Sequence, residues 1–412
     1  MSKKTKPAVK KSPVRAFVGT IFSIVVLIVG LLVALAVYLQ CVSEKAVFDA
    51  QTASGVTYSP LEKVIPGPGL PKEVVPQKSN NNVDIAKFNG RYYVAFRTAP
   101  THFASPKAML YVISSSDAKK WDFETKFNMK SDLREPRFLV FKGKLILYFF
   151  NGGAKMTEFA PKYMYETEFI SQGKWTPARK FYEPGYVIWR AKEHNGKAIM
   201  SVYYGVGLYS NEKNPTSLRL LESDDGFNYK LVDNKEVSSA TSSEEGEFEF
   251  DEQGNLYSTI RLEMKGGEVC SAQAAALTQW DCRFTPYKYD SALMFRHKGE
   301  FYVIARRNIA GTYNRNATWL PESLRSKWYL VRYSLTRKRT ALYRLDRQDK
   351  VLVPVLDFPS RGDTAYAGMV QIDENRYLVI NYSSDIDGFD WSWIGGQLAG
   401  SNLYTTVLTF KK

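Results

Sequence analysis

The sequence predicts an all-β protein: a six-bladed β-propeller preceded by a single N-terminal transmembrane helix and a Pro/Gly-rich stalk. Three observations support this. From about Asn82 to the end, the chain reads as short runs rich in β-branched and aromatic residues (VDIAKF, LYVISSS, RFLVF, LILYFF, WYLVRYSL, YTTVLTF), interrupted by closely spaced turn signals. No long stretch in this region has convincing helical periodicity. One hairpin also recurs six times, with turns at Gly90, Gly143, Gly196, Gly254, Gly299 and Asn375, each followed by an alternating or apolar run such as RYYVAFR or EFYVIAR. The turn-to-turn intervals are near the roughly 40 to 50 residues that a four-stranded blade occupies. The last is longer and is expected to hold an insertion, NIAGTYNRNATWLPESLRSK (308–327).

The elements follow in order. Residues 1–16 form a basic tail containing Lys3, Lys4, Lys6, Lys10, Lys11 and Arg15 and no acid. Residues 17–39 are apolar, carry no charge, and are long enough at 1.5 Å rise per residue to cross a ~30 Å hydrocarbon core. The basic flank predicts a single-pass membrane protein with a cytoplasmic N-terminus and a periplasmic or extracellular body. A cleaved, atypical signal is the alternative. A lipoprotein at Cys41 is disfavoured because Tyr38-Leu39-Gln40 has no small residue before the cysteine. Residues 40–81, with VIPGPGLPKEVVPQ, read as an extended stalk. Residues 82–412 form the propeller, with the strand near Leu403–Phe410 closing the ring against the first blade. A five-bladed ring with one irregular copy is the alternative.

The formal charge is +14, but six of the cations lie in the tail and the rest are interspersed with acids, so no nucleic-acid partner is expected. The only expected membrane partner is the bilayer, through the N-terminal helix. Cys270 and Cys282 flank a short segment and either close a hairpin disulfide or remain two buried thiols. His102, His194 and His297 are scattered with no zinc-like spacing, so no metal or cofactor is expected. A second repeat, Ser115-x-Asp117…Trp121 and Ser223-x-Asp225…Tyr229, with a looser copy at Ser383-x-Asp385…Trp391, is assigned to folding. Its aspartate would accept backbone N–H bonds of a turn and its aromatic would pack between sheets.

Candidate chemistry lies in two rows. The seventh residue after each turn is Arg97, Phe150, Tyr203, Arg261, Arg306 and Tyr382. The ninth before it is Asn81, Arg134, Val187, Glu245, Asp290 and Tyr366. In a hairpin both rows lie at the same end, so they should converge on one mouth of the ring. Three guanidinium groups there suit an anion, most plausibly a carboxylate, and Arg190 is a further candidate. The alternative is a salt-bridge network plugging the central channel.

FRTAP (96–100), the S-x-D repeats, SEEGEFEFDEQGNLYSTIR (243–261) and GDTAYAG (362–368) resemble the sialidase (neuraminidase) superfamily over roughly residues 82–412. The resemblance is to the bacterial sialidase-like β-propellers with an FR…H segment (Phe96-Arg97…His102), a D-x-R-[DE]-P segment (Asp132–Pro136) and a GDT-x-Y segment (Gly362–Tyr366). It implies an exo-glycosidase acting on an acidic glycan or glycoconjugate. Arg97, Arg261 and Arg306 would clamp the sugar carboxylate, Tyr366 would be the nucleophile and Glu245 its general base. Arg134, Asp290, Tyr203 and Tyr382 would join the substrate site. Strand alternation would send Glu244 to the other face. The chain departs from the pattern in the loop TAPTHFASPKA (98–108), which lacks the expected acid. His102, Asp132, Glu135, Asp290 and Asp363 are the candidates to replace it. Two other readings stay open. One is a non-catalytic surface propeller that binds glycans or proteins. The other is a five-bladed furanosidase-like glycosidase, which Arg134-Glu135-Pro136 resembles.

Overall fold

The computed structural model describes residues 13–44, 55–156, 160–205, 216–237, 242–314 and 317–411. Most of the basic tail lies outside these residues. Six antiparallel sheets stand around one axis, with strands running outward in chain order in the first five. Their innermost strands are Ser79–Phe88, Leu133–Phe141, Tyr186–His194, Ser243–Phe250, Asp290–His297 and Thr364–Asp373. Each packs beside the innermost strand of the next blade and the sixth returns to the first, so the ring is six-bladed and closed. The second strands, such as Lys144–Asn151, are buried over almost their whole length between neighbouring blades, which is why they read as continuous apolar runs. Blades are also joined by polar contacts: the Asp84 carboxylate of blade one accepts from the Phe138 N–H of blade two at 2.8 Å.

The ring closes differently from the expectation. Asn402–Phe410 is the third strand of blade six rather than a partner of blade one. It pairs with two strands from the segment expected to be a stalk, Val56–Tyr58 and Glu62–Ile65, in the register Val56↔Phe410 and Ile65↔Leu403. The Pro/Gly-rich segment is therefore part of the fold. Val64, Ile65 and Val74 are buried in a core they share with blades one, two, three and six. Prolines and glycines break regular structure in a spacer and in a tightly wound surface segment alike, so composition did not separate the two.

Three helices accompany the ring. The first, α1 (Pro13–Cys41), contains a 22-residue span, Thr20–Cys41, that is apolar and long enough to cross a membrane and has none of its most apolar window buried. The second, α2 (Glu322–Leu335), lies in the expected insertion of blade five and overturns the strand reading of WYLVRYSL. That run holds a single β-branched residue, Val331, and begins a few residues after Pro321, which stands at the helix N-cap. The third, α3 (Trp393–Ala399), is capped by the Ser392 hydroxyl, which accepts from the Gly395 N–H. Both α2 and α3 connect the second and third strands of their blades.

Cys270 and Cys282 face each other across the third and fourth strands of blade four and are disulfide-bonded. Asp117 and Asp225 occupy equivalent turns. Each Oδ1 accepts two backbone N–H groups, from Lys119 and Lys120 and from Phe227 and Asn228, at 2.8–2.9 Å, and a serine hydroxyl as well. These bonds hold the Asp117 carboxyl down at about 2.

The role of the proline-rich segment is testable. Ile65 is 0% exposed, whereas Val75 is 65% exposed. Ile65→Asp should cost about 3 kcal/mol or more and lower the thermal midpoint sharply, while Val75→Asp should leave it nearly unchanged. Equal tolerance at the two positions would mean that the segment is a free spacer.

Candidate active site at the ring axis

Every innermost strand slips register near its N-terminal end, at Asn81/Val83, Arg134/Arg137, Ile188/Arg190, Glu244/Glu247, Asp290/Leu293 and Ala365/Gly368. These are bulges, each inserting a residue that the neighbouring strand does not pair. In five blades the inserted residue is left-handed: Asn82, Glu135, Glu245, Ser291 and Tyr366 have φ of 43°, 51°, 48°, 56° and 64°. Non-glycine residues pay on the order of 1–3 kcal/mol for such backbones. All five line one cavity of about 590 Å³ at this end of the axis. The second-to-third-strand connections roof it: the loop after Ala99 brings His102, Phe103 and Ala104, and α3 brings Trp393, Gln397 and Leu398.

Three arginines border the cavity, but not the three expected. They are Arg134, Arg261 and Arg306. Arg97 is 0% exposed and lies behind the wall. Its guanidinium donates to Asp132 at 2.7–2.8 Å, to Asn81 Oδ1 at 3.1 Å and to the carbonyls of Thr101 and Phe103. Asp132 also accepts from Arg134, whose other end donates to the His102 carbonyl. Arg97 therefore holds the carboxylate and the loop that orient Arg134. Arg261 donates to Glu245 at 2.6 Å and Glu263 at 2.7 Å. Arg306 donates to Asp290 at 3.3 Å, to the Thr364 carbonyl at 2.7 Å and to the Tyr382 hydroxyl at 3.0 Å.

The expectations for the carboxyl groups also change. Glu244 is the register partner of Arg261, so the bulge brings both Glu244 and Glu245 to the arginine, where alternation would have separated them. Burial and the adjacent Glu263 push the Glu244 carboxyl well above its usual range. Glu245 is committed to Arg261 and to the Ser291 N–H at 2.6 Å and has no hydrogen bond to Tyr366. The carboxyl groups whose charge acts on Tyr366 are Glu135 and, more weakly, Asp84. Burial, reinforced by the charge of Glu245, pushes Glu135 up to about 8, so it carries its proton at neutral pH. Glu135 Oε2 and the Tyr366 hydroxyl have no hydrogen-bond partner among the described residues. Burial raises the Tyr366 phenol well above its ordinary value despite Arg137, whose guanidinium lies 4.0 Å from the ring centroid.

His102 Nδ1 lies 2.6 Å from Asp363 Oδ2. The aspartate sits below the usual carboxylate range, mainly because His102 offsets its burial. Asp363 also accepts from the Tyr382 hydroxyl and the Trp393 indole, so it ties the loop, blade six and α3 together. Asp363 does not line the cavity, and neither does Asp290, which serves Arg306 and accepts from Tyr333 at 2.6 Å. Tyr203 and Tyr382 do line it. Arg190 does not. It is buried and bonded to Glu247 at 2.6 Å and the Ala292 carbonyl at 3.3 Å, with Asp84 3.8 Å away, linking blades three, four, five and one in a charged plug. The channel-plug alternative thus describes Arg190, whereas Arg97 is paired behind the cavity wall. Asn82, Ser291, Gln397 and Leu398 were missed by sequence reasoning. The only available signal for the first two was their position one residue beyond the row that pairs with the second strands.

No protein-family model matches the chain, and no curated protein matches its sequence. Solved structures do. A protein of unknown function from Dyadobacter fermentans DSM 18053 is 16% identical with a TM-score of 0.62, over 87% of this chain and 100% of that one. The Trypanosoma rangeli sialidase in complex with the inhibitor DANA is 13% identical with a TM-score of 0.56, over 80% of this chain and 55% of that one. Another structure of the same sialidase gives 14% and 0.54. The chain spans about half the length of that sialidase. At such identities the likeness concerns the fold: the chain is a sialidase-like six-bladed β-propeller.

Removing Arg97 would strand Asp132 as a buried, half-compensated charge. Arg97→Ala should cost about 3–5 kcal/mol in denaturant unfolding. Arg134→Ala, at the cavity edge, should cost much less stability and act on ligand binding. Similar losses from the two would contradict this division of roles.

Proposed function

We propose that the chain is a membrane-anchored exo-glycosidase that hydrolyses a terminal acidic sugar, sialic acid or a relative. One observation carries this reading: three guanidinium groups, an uncharged carboxyl and a tyrosine hydroxyl without a partner border a single cavity. The sugar carboxylate would sit against Arg134, Arg261 and Arg306. Glu135 would give its proton to the glycosidic oxygen as the bond to the aglycone breaks. Tyr366 Oη would form the new bond to the anomeric carbon, its proton passing to a carboxylate of the cavity wall, for which Glu245 is the candidate. Glu135, now a carboxylate, would take a proton from the water that releases the sugar, and Tyr366 would regain its own. A neutral nucleophile suits a substrate that is itself an anion. The apolar span Thr20–Cys41 would hold the enzyme in the bilayer, with the basic residues before it on the cytoplasmic side.

A second reading rests on the pairing of Glu135 with Glu245. Two carboxyl groups in one cavity, one of them held protonated by burial, also suit the acid and base of a two-carboxylate hydrolase for neutral sugars. In that case Tyr366 would be a wall residue.

Tyr366→Phe should lower turnover of an aryl sialoside by about a hundredfold or more and leave binding of an acidic-sugar analogue intact. Retained turnover of a neutral glycoside by the same variant would favour the two-carboxylate enzyme. Binding by the wild type with no hydrolysis of any acidic glycoside would leave a non-catalytic receptor. The acid assignment predicts that kcat/KM falls as pH rises through about 8, where Glu135 loses its proton. Glu135→Gln should abolish that limb together with most of the activity toward substrates with poor leaving groups.

A further inference from the structure

The membrane span leads directly into the rim of the cavity. Thr20–Cys41 holds 22 residues, about 33 Å of helix at 1.5 Å per residue. That matches a ~30 Å hydrocarbon core, so Cys41 stands at the bilayer surface. The chain has no room to step away from it. The Gln40 side chain donates to the Asp390 carbonyl, and three residues past the helix end the Glu44 N–H donates to the Ile309 carbonyl at 2.9 Å. Leu39 is buried, and α1 packs on α2. Asp390 lies two residues before the N-cap of α3, the helix whose Trp393, Gln397 and Leu398 line the cavity. Asp390 is also pinned to the ring through Arg337 and Arg339.

This corner of the surface is unusually apolar. Trp319, in the loop entering α2, is 74% exposed. Leu324 and Val331, seven residues apart on α2, are about half exposed. Phe389 is 62% exposed and stacks edge-on with the exposed Trp391, and Leu398 on the cavity rim is 51% exposed. Aromatic residues beside the end of a membrane span are the composition of an interfacial belt.

We infer that the α2–α3 face rests in the headgroup layer of the bilayer that α1 spans, so that the cavity opens beside that bilayer and its substrate is the headgroup of a glycolipid in the same membrane. This rests on the glycosidase reading for the word substrate, but the membrane apposition stands on its own geometry. An exposed apolar rim costs nothing when lipid covers it. A lipid-held glycan also meets the site at a high effective concentration, since both partners are confined to one surface.

The test uses the full chain reconstituted in phosphatidylcholine vesicles. Lipids brominated near the headgroup should quench tryptophan fluorescence, and the quenching should fall in the Trp319→Phe/Trp391→Phe variant. Unchanged quenching would overturn the apposition whether or not the protein is an enzyme. In vesicles that also hold a sialylated glycolipid, turnover of that lipid should exceed turnover of a soluble sialylated glycoprotein by about tenfold or more. The triple variant Trp319→Ser/Phe389→Ser/Trp391→Ser should remove the advantage and leave the rate on a soluble aryl sialoside unchanged. Equal rates on the two substrates, with the aryl sialoside turned over normally, would overturn the glycolipid assignment. No turnover even of the aryl sialoside would instead refute the proposed reaction, and the glycolipid substrate with it.

Discussion

Charge can be buried around this axis only when it is paired. Desolvating an ion costs several kcal/mol, and the low-dielectric interior returns that cost only where an opposite charge or converging hydrogen bonds meet it. Most of the ring obeys the rule; the departure is Arg137, whose guanidinium bonds the Trp189 carbonyl and lies 4.0 Å from the Tyr366 ring centroid without a carboxylate partner among the described residues. Asp132 holds Arg97 and Arg134, Glu245 and Glu263 hold Arg261, Asp290 holds Arg306, and Glu247 holds Arg190. Glu135 is the cavity-lining exception. It is buried, faces the charge of Glu245 and has an oxygen without a partner, so it solves the same problem by keeping its proton. This unpaired carboxyl of the cavity wall is thereby fitted for proton donation.

The bulges explain how such a cluster is assembled without loops long enough to wander. A regular innermost strand would alternate its side chains between the two faces of the blade. One inserted residue per strand, left-handed in five blades, turns a side chain toward the axis at the same height in each. The strain is carried where strands are clamped on both sides by neighbouring blades, so the site is held by the most rigid part of the fold. The loop after Ala99 and α3 then add a roof, and the pairing of Val56–Tyr58 with the last strand ties the chain that follows α1 into the same ring.

Much of the architecture was legible because a blade is a local object. Six hairpins with common spacing fixed the number of blades, and the alignment of rows on either side of each turn found one end of the axis. The limits were equally physical. Two hairpins, those of blades four and six, are one residue longer before the turn, so counting back placed Glu245 and Tyr366 on the bulge but Asn81, Arg134 and Asp290 one residue short of it. Counting could not tell that Arg97 would be walled in by Asp132 while Arg134, from the other row, reached the cavity. Nor could composition show that a proline-rich segment would supply edge strands, or that aromatic-rich WYLVRYSL would coil into a helix. Those outcomes depend on partners distant in sequence.

The claim on which the account rests is that Glu135 is protonated at neutral pH because burial and the charge of Glu245 outweigh the pull of Arg137, Arg134 and Arg261. Infrared difference spectroscopy of carboxyl-labelled protein, comparing wild type with Glu135→Gln across a pH titration, measures this directly. The account predicts a protonated carboxyl band at pH 7 that is missing from the variant and disappears in the wild type near pH 8. A Glu135 already ionised at pH 5, like an ordinary surface carboxylate, would contradict it.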